Sequence, residues 1–161
     1  MANEVLSNGM TKSAGADRRV SITIGNTISE MAKVVELVEG FGASHDVPPS
    51  VRNDLNLCLD ELLNNTISYG YDDEQRHSIV VVLSVADGTL QAEIRDDARP
   101  FDPSRAASAA IGDSLQTRKI GGLGLPFIRA LMDDLAYQRD GARNIVMITK
   151  KFEGNTNDGN R

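Results

Sequence analysis

The segment SIVVVLSVADGTLQAEIR, residues 78–95, leaves the chain little freedom in what it can fold into. Two strand-like runs flank Asp87-Gly88, a pair suited to the positive backbone angles of a two-residue hairpin turn. An antiparallel hairpin is predicted, with strands SIVVVLSV and TLQAEIR. A second hairpin, DLAYQRD and NIVMITKKF around Gly141, is predicted near the end of the chain.

The remaining elements are assigned from periodicity. RRVSITI, 18–24, alternates and is β-branched, so it is predicted as a strand. A helix follows, with a capping-box spacing at Thr27 and Glu30. Its inward stripe is Ile28, Met31, Val35 and Val38, and Gly40-Phe41-Gly42 is expected to stop it. Pro48-Pro49-Ser50 opens a second helix, with Leu55, Leu59, Leu62 and Thr66 facing inward and Gly70 at its end. Residues 102–121 show no convincing period, which marks a functional lid or disorder. A third helix is predicted from about Pro126 to Met132. The order βααββ-loop-αββ argues for an α+β fold: a two-layer sandwich with helices on one face of a mixed, mostly antiparallel sheet.

At 161 residues the chain is expected to be one domain, residues 18–152, between loose tails at 1–17 and 153–161. Its 40% hydrophobic and 25% charged content is that of a globular protein. A net charge of −6 disfavours direct nucleic-acid binding. It does not disfavour ATP, because nucleotide sites use local backbone donors and a metal. The lone Cys58 excludes a disulfide framework and a cysteine zinc site, and reads as a small core residue. Two isolated histidines, His45 and His77, make no metal cluster. The N-terminal residues have no apolar run like a signal peptide's, and no segment reaches membrane-spanning length. A cytoplasmic protein without a membrane partner is expected.

Three segments carry candidate chemistry. In DELLNNTISYGY, 60–71, Glu61 and Asn65 are four apart and project about 40° from each other, away from the leucine stripe. A carboxylate and an amide oxygen so placed suit a phosphate-bound Mg²⁺ and its nucleophile, although that pair alone more often marks a solvated polar face. In EIRDDARPFDP, 93–103, Asp96 and Asp97 end a strand. A carboxylate accepts hydrogen bonds and so matches the exocyclic amine of adenine, although two acids at a strand end also simply begin a turn. In KIGGLGLPFIRALMDDL, 119–135, Gly121, Gly122 and Gly124 permit close approach of a ligand before a helix, or form a hinge.

Taken in this order, the three segments resemble the N-box, G1 and G2 motifs of the GHKL-type ATP-binding superfamily. LDELLNNTISYGY, RPFDP and GGLGLPFIRALMDDLAYQRDG are similar in detail to the anti-sigma-factor serine/threonine kinases of bacterial partner-switching systems. The resemblance spans roughly 18–152 and implies a kinase using ATP and Mg²⁺. By that resemblance Asn65 is the Mg²⁺ ligand and Glu61 the catalytic base. Asp96 and Ala98 belong to the adenine pocket. Gly122, Leu123, Gly124 and Leu125 border the phosphates, beneath the lid 102–121. Arg118 and Lys119 neutralise phosphate charge, or are solvated lid residues, and Asn144 stands where the family often has threonine. Ala98 replaces a family glycine, which costs little unless that position needs positive φ.

The implied partners are a STAS-type antagonist that receives the phosphate and a sigma factor or similar regulator. A homodimer through the first strand and helix is also implied. A non-catalytic ATP-gated interaction module remains open from sequence. A histidine kinase is disfavoured, because neither histidine lies in a helical dimerisation segment.

Overall fold

The computed structural model describes residues 18–105 and 124–154. Strand β1 (Arg19–Gly25) leads through a 3₁₀ turn (Ile28–Glu30) into helix α1 (Met31–Ser44) and then α2 (Pro49–Tyr69). Strands β2 (Ser78–Ala86) and β3 (Thr89–Asp96) follow. After the undescribed stretch come α3 (Leu125–Leu131), β4 (Asp134–Asp140) and β5 (Arg143–Lys151). The strands form one sheet in the order β1-β2-β3-β5-β4, and every pairing is antiparallel. The fold is an α+β sandwich of the expected kind.

Turn chemistry and period explain the sheet. Asp87 and Gly88 have φ of 50° and 69°, the two positive angles a type I′ turn requires. On β2 and β3, Ile79, Val81, Leu83, Val85, Leu90, Ala92 and Ile94 point to one side, where they are buried against the helices. From α2, Leu55, Cys58, Leu59, Leu62 and Leu63 complete that core. Burial pushes the Cys58 thiol up to about 12, which leaves it protonated and unreactive.

Three local expectations are corrected. Gly40 and Gly42 do not stop α1, which runs to Ser44. A glycine inside a helix costs only about 1 kcal/mol, and Gly42 has a packing reason: a Cβ there would come within 2.5 Å of the Arg52 side chain on α2. The inward residues of α1 are Val34, Val38 and Phe41, whereas Val35 and Ile28 are 46% and 55% exposed. Thr27 makes no side-chain cap: its hydroxyl lies 3.4 Å from the Ser29 hydroxyl, and the Glu30 side chain pairs with Lys33 at 2.7 Å instead of reaching back. The tail 1–17, all but the first two residues of the tail 153–161, and most of the expected lid lie outside the described residues.

Candidate nucleotide site

A cavity of about 330 Å³ lies between the C-terminal half of α2 and the end of β3. Leu62, Asn65, Thr66 and Tyr69 through Tyr71 form one wall. Ile94, Asp96, Ala98, Asn144 and Val146 form the opposite wall, with Phe101 and Pro103 at the side. The volume and the apolar lining with few polar groups are those of a small-molecule pocket.

The structure places Asn65 differently from the solvated face considered above. It is only 8% exposed, and its Oδ1 takes no hydrogen bond among the described residues. A buried carbonyl oxygen without a donor costs free energy, so the site suits something that would engage it. A hard cation is such a partner, since Mg²⁺ takes oxygen ligands and commonly keeps few protein groups when it rides on phosphates. No group of three His, Cys, Asp or Glu residues able to hold a metal exists among the described residues. Asn65 therefore fits a cation brought in by its ligand better than a preformed metal cage.

Asp96 is 5% exposed at the end of β3. Its Oδ1 accepts the Ala98 N–H at 3.0 Å and the Asn144 amide at 2.8 Å. Burial pushes the Asp96 carboxyl above the ordinary carboxylate range, while those two donors hold its charged form. Asn144, on β5, pairs in register with Asp96 on one side and with Arg139 on the other. Its amide is fully engaged within the protein, so it stands behind the aspartate rather than free toward a ligand.

Ala98 is not strained. Asp46 and Asp87 are the only non-glycine residues with positive φ among those described. The Ala98 methyl closes the cavity against Gly70, where an added Cβ would come within 2.8 Å of it. The Arg99 N–H, donating to Gly70 O at 2.9 Å, ties the two segments together.

Glu61 lies one helical turn before Asn65 on α2. A Cβ built on Gly124 would overlap its carboxylate, so Glu61 rests directly against the backbone that opens α3. Leu125, the first residue of α3, is buried in the core. Arg118, Lys119, Gly122 and Leu123 lie outside the described residues.

At the cavity's rim the Tyr71 ring stacks on His77, with centroids 4.2 Å apart and planes 19° apart. His77 Nε2 meets Asp73 Oδ1 at 2.7 Å and Nδ1 meets Asp97 Oδ2 at 3.0 Å. Hydrogen bonds to Asp73 and then Asp97 push the imidazole above its usual range. Tyr71, Tyr137 and Arg139 lie within the quoted motifs but were given no individual role from sequence. The register of the hairpin around Gly141, which sets Arg139 opposite Asn144, was the available signal.

Comparisons with known proteins bear on the family and the fold. BtrW, a serine/threonine-protein kinase of Bordetella bronchiseptica, is 32% identical over 99 residues, 62% of this chain and 70% of that protein. RsbW, a serine-protein kinase of Listeria innocua, is 26% identical over 98 residues, 58% of this chain and 62% of RsbW. In fold, the chain is similar to the crystal structure of the RsbU and RsbW domains of Rv1364c from Mycobacterium tuberculosis. That likeness has a TM-score of 0.58 at 20% identity and covers 83% of this chain and 32% of that one. The aligned region thus spans less than two thirds of RsbW and about a third of the Mycobacterium chain. Residues 24–150 match the histidine kinase-like ATPase domain, a stretch that runs from β1 to β5 and encloses the whole cavity, and the chain belongs to that family.

Proposed function

We propose that this protein is an ATP-dependent protein serine/threonine kinase of a partner-switching system. It transfers the γ-phosphoryl group of ATP to a Ser or Thr of a STAS-type antagonist, and alternatively sequesters a sigma factor or similar regulator. The observation that carries this reading is the pairing of Glu61, packed against Gly124, with the unpartnered Asn65 oxygen one turn further along α2. The kinase names of the relatives support it.

In this reading Asp96 accepts the adenine amine, and Asn65 Oδ1 is the protein's ligand for Mg²⁺. When bound, that ion offsets the charge of the phosphates. Glu61 takes the proton of the attacking hydroxyl. A bond forms between that oxygen and the γ-phosphorus as the bond to the β-phosphate oxygen breaks, and ADP leaves. Gly122 to Leu125 border the phosphates by the motif resemblance, and Arg118 and Lys119, just before the glycines in sequence, neutralise phosphate charge. The phosphate brings nearly two negative charges onto the antagonist, enough to break a complementary interface. Ile28 and Val35 are exposed apolar residues on the 3₁₀ turn and α1, the region expected to form a homodimer. A cytoplasmic location is part of this reading; among the described residues no helix is long and apolar enough to cross a membrane.

The test is phosphate transfer from labelled ATP to a STAS-domain protein of the same organism. Wild-type protein is expected to label one Ser or Thr. Glu61→Gln is expected to lose at least about a hundredfold in rate while still binding ADP. Binding without transfer by the wild type would overturn the kinase assignment and leave an ATP-gated interaction module.

A further inference from the structure

Asn144 is held from both ends. Its Oδ1 accepts from Tyr137 Oη at 2.6 Å and from Arg139 Nη1 at 3.0 Å. Its Nδ2 donates to Asp96 Oδ1 at 2.8 Å, Arg99 O at 3.0 Å and Ala98 O at 3.2 Å. The partners decide which way the amide points. A flipped amide would turn its NH₂ toward the Arg139 guanidinium, which only donates, and its oxygen toward three acceptors. Arg139 is itself planted, because the same Nη1 donates to Ala98 O at 3.0 Å and Nε donates to Gly141 O at 3.0 Å. Three neighbouring strands thus line up Arg139, Asn144 and Asp96 in one cross-strand row.

We propose that Asn144, oriented by Tyr137 and Arg139, is a positioning residue for nucleobase selection. By donating to Oδ1 it keeps Asp96 an ionised acceptor, so that the other carboxylate oxygen selects a base carrying an exocyclic amine. The assignment rests on the nucleotide reading above. A protonated Asp96 would instead donate, and would favour a base with a carbonyl at that position, such as hypoxanthine. Burial drives Asp96 toward that protonated form, and the Asn144 amide opposes it. The charged and titratable groups facing Asp96 are Asp97 beside it, Arg139 on β4 and Tyr71 in the loop just after α2. Among them Arg139 alone favours the carboxylate.

The experiment is calorimetric titration with Mg-ADP and Mg-IDP from pH 5.5 to 8.5, using wild type, Asn144→Asp and Tyr137→Phe. Asn144→Asp keeps the volume and still accepts from Tyr137 and Arg139, but it turns an acceptor toward Asp96. Wild type is expected to prefer ADP by at least about tenfold, the scale of one well-placed hydrogen bond to a charged group. In Asn144→Asp that preference is expected to collapse toward one, and ADP binding should be lost at higher pH than in wild type. Tyr137→Phe retains the ring and is expected to move both readouts the same way by about threefold. It carries the test if Asn144→Asp does not fold. Equal weakening of both nucleotides, with selectivity and pH profile unchanged, would overturn the assignment and make Asn144 merely structural. Wild-type protein that binds neither nucleotide would instead overturn the nucleotide reading, and this assignment with it.

Discussion

Gly124 is a glycine for want of room. Its φ is −84°, open to any residue, but the place of a side chain is taken by the Glu61 carboxylate. Gly124→Ala is therefore expected to displace Glu61 and lower phosphate transfer at least about tenfold, with a cost in stability of about 1–3 kcal/mol. Rate and thermal unfolding measured on the same variant would check both. Asp96 makes a second claim. In the proposed reading nucleotide binding uses its charged form, and burial raises its pKa in the free protein. Affinity for ADP should be full well above that pKa and fall as pH drops through it, at a higher pH than an ordinary aspartate would give. Titrations across pH 4.5–8 should show this loss in wild type and none in Asp96→Asn, whose affinity should be low throughout.

Elements whose determinants are local were legible in the sequence. The β2–β3 hairpin follows from Asp87-Gly88, and β4 begins and ends where its pattern does. Helix α1 was misjudged at its end because two glycines read as a stop, whereas Gly42 admits the Arg52 side chain of a different helix. That contact has no signature in local spacing. The loop between α2 and β2 is another case. His77 sits between Asp73 and Asp97 and stacks on Tyr71, so the loop clasps the end of β3 to the end of α2. Its pKa is raised, so the clasp contributes stability fully below the ordinary histidine pKa and loses it as pH rises through the raised value. His77→Gln should thus lower the melting temperature more at pH 6 than at pH 9. An equal loss at both would show that the charge of His77 contributes nothing.

Across the described residues, helices cover one side of a five-stranded antiparallel sheet, and the cavity lies between α2 and the end of β3. Asn65 and Asp96 were legible as candidates because motif order survives in sequence. Their wiring through Arg139, Asn144 and Tyr137 was not, because it runs across three strands whose register only the folded sheet displays. The cavity exists only when this sheet and α2 are assembled, so a nucleotide that binds there should stabilise the entire domain. A ligand at a hundred times its Kd adds about 2.7 kcal/mol. The decisive measurement is calorimetric titration of the purified protein with ADP, with and without Mg²⁺, beside Asn65→Ala. Saturable binding by wild type that strengthens with Mg²⁺, and a variant that gains nothing from the ion, is the expected result. A folded wild type that binds no nucleotide, or an Asn65→Ala variant that keeps the full response to Mg²⁺, would contradict the role given to this cavity.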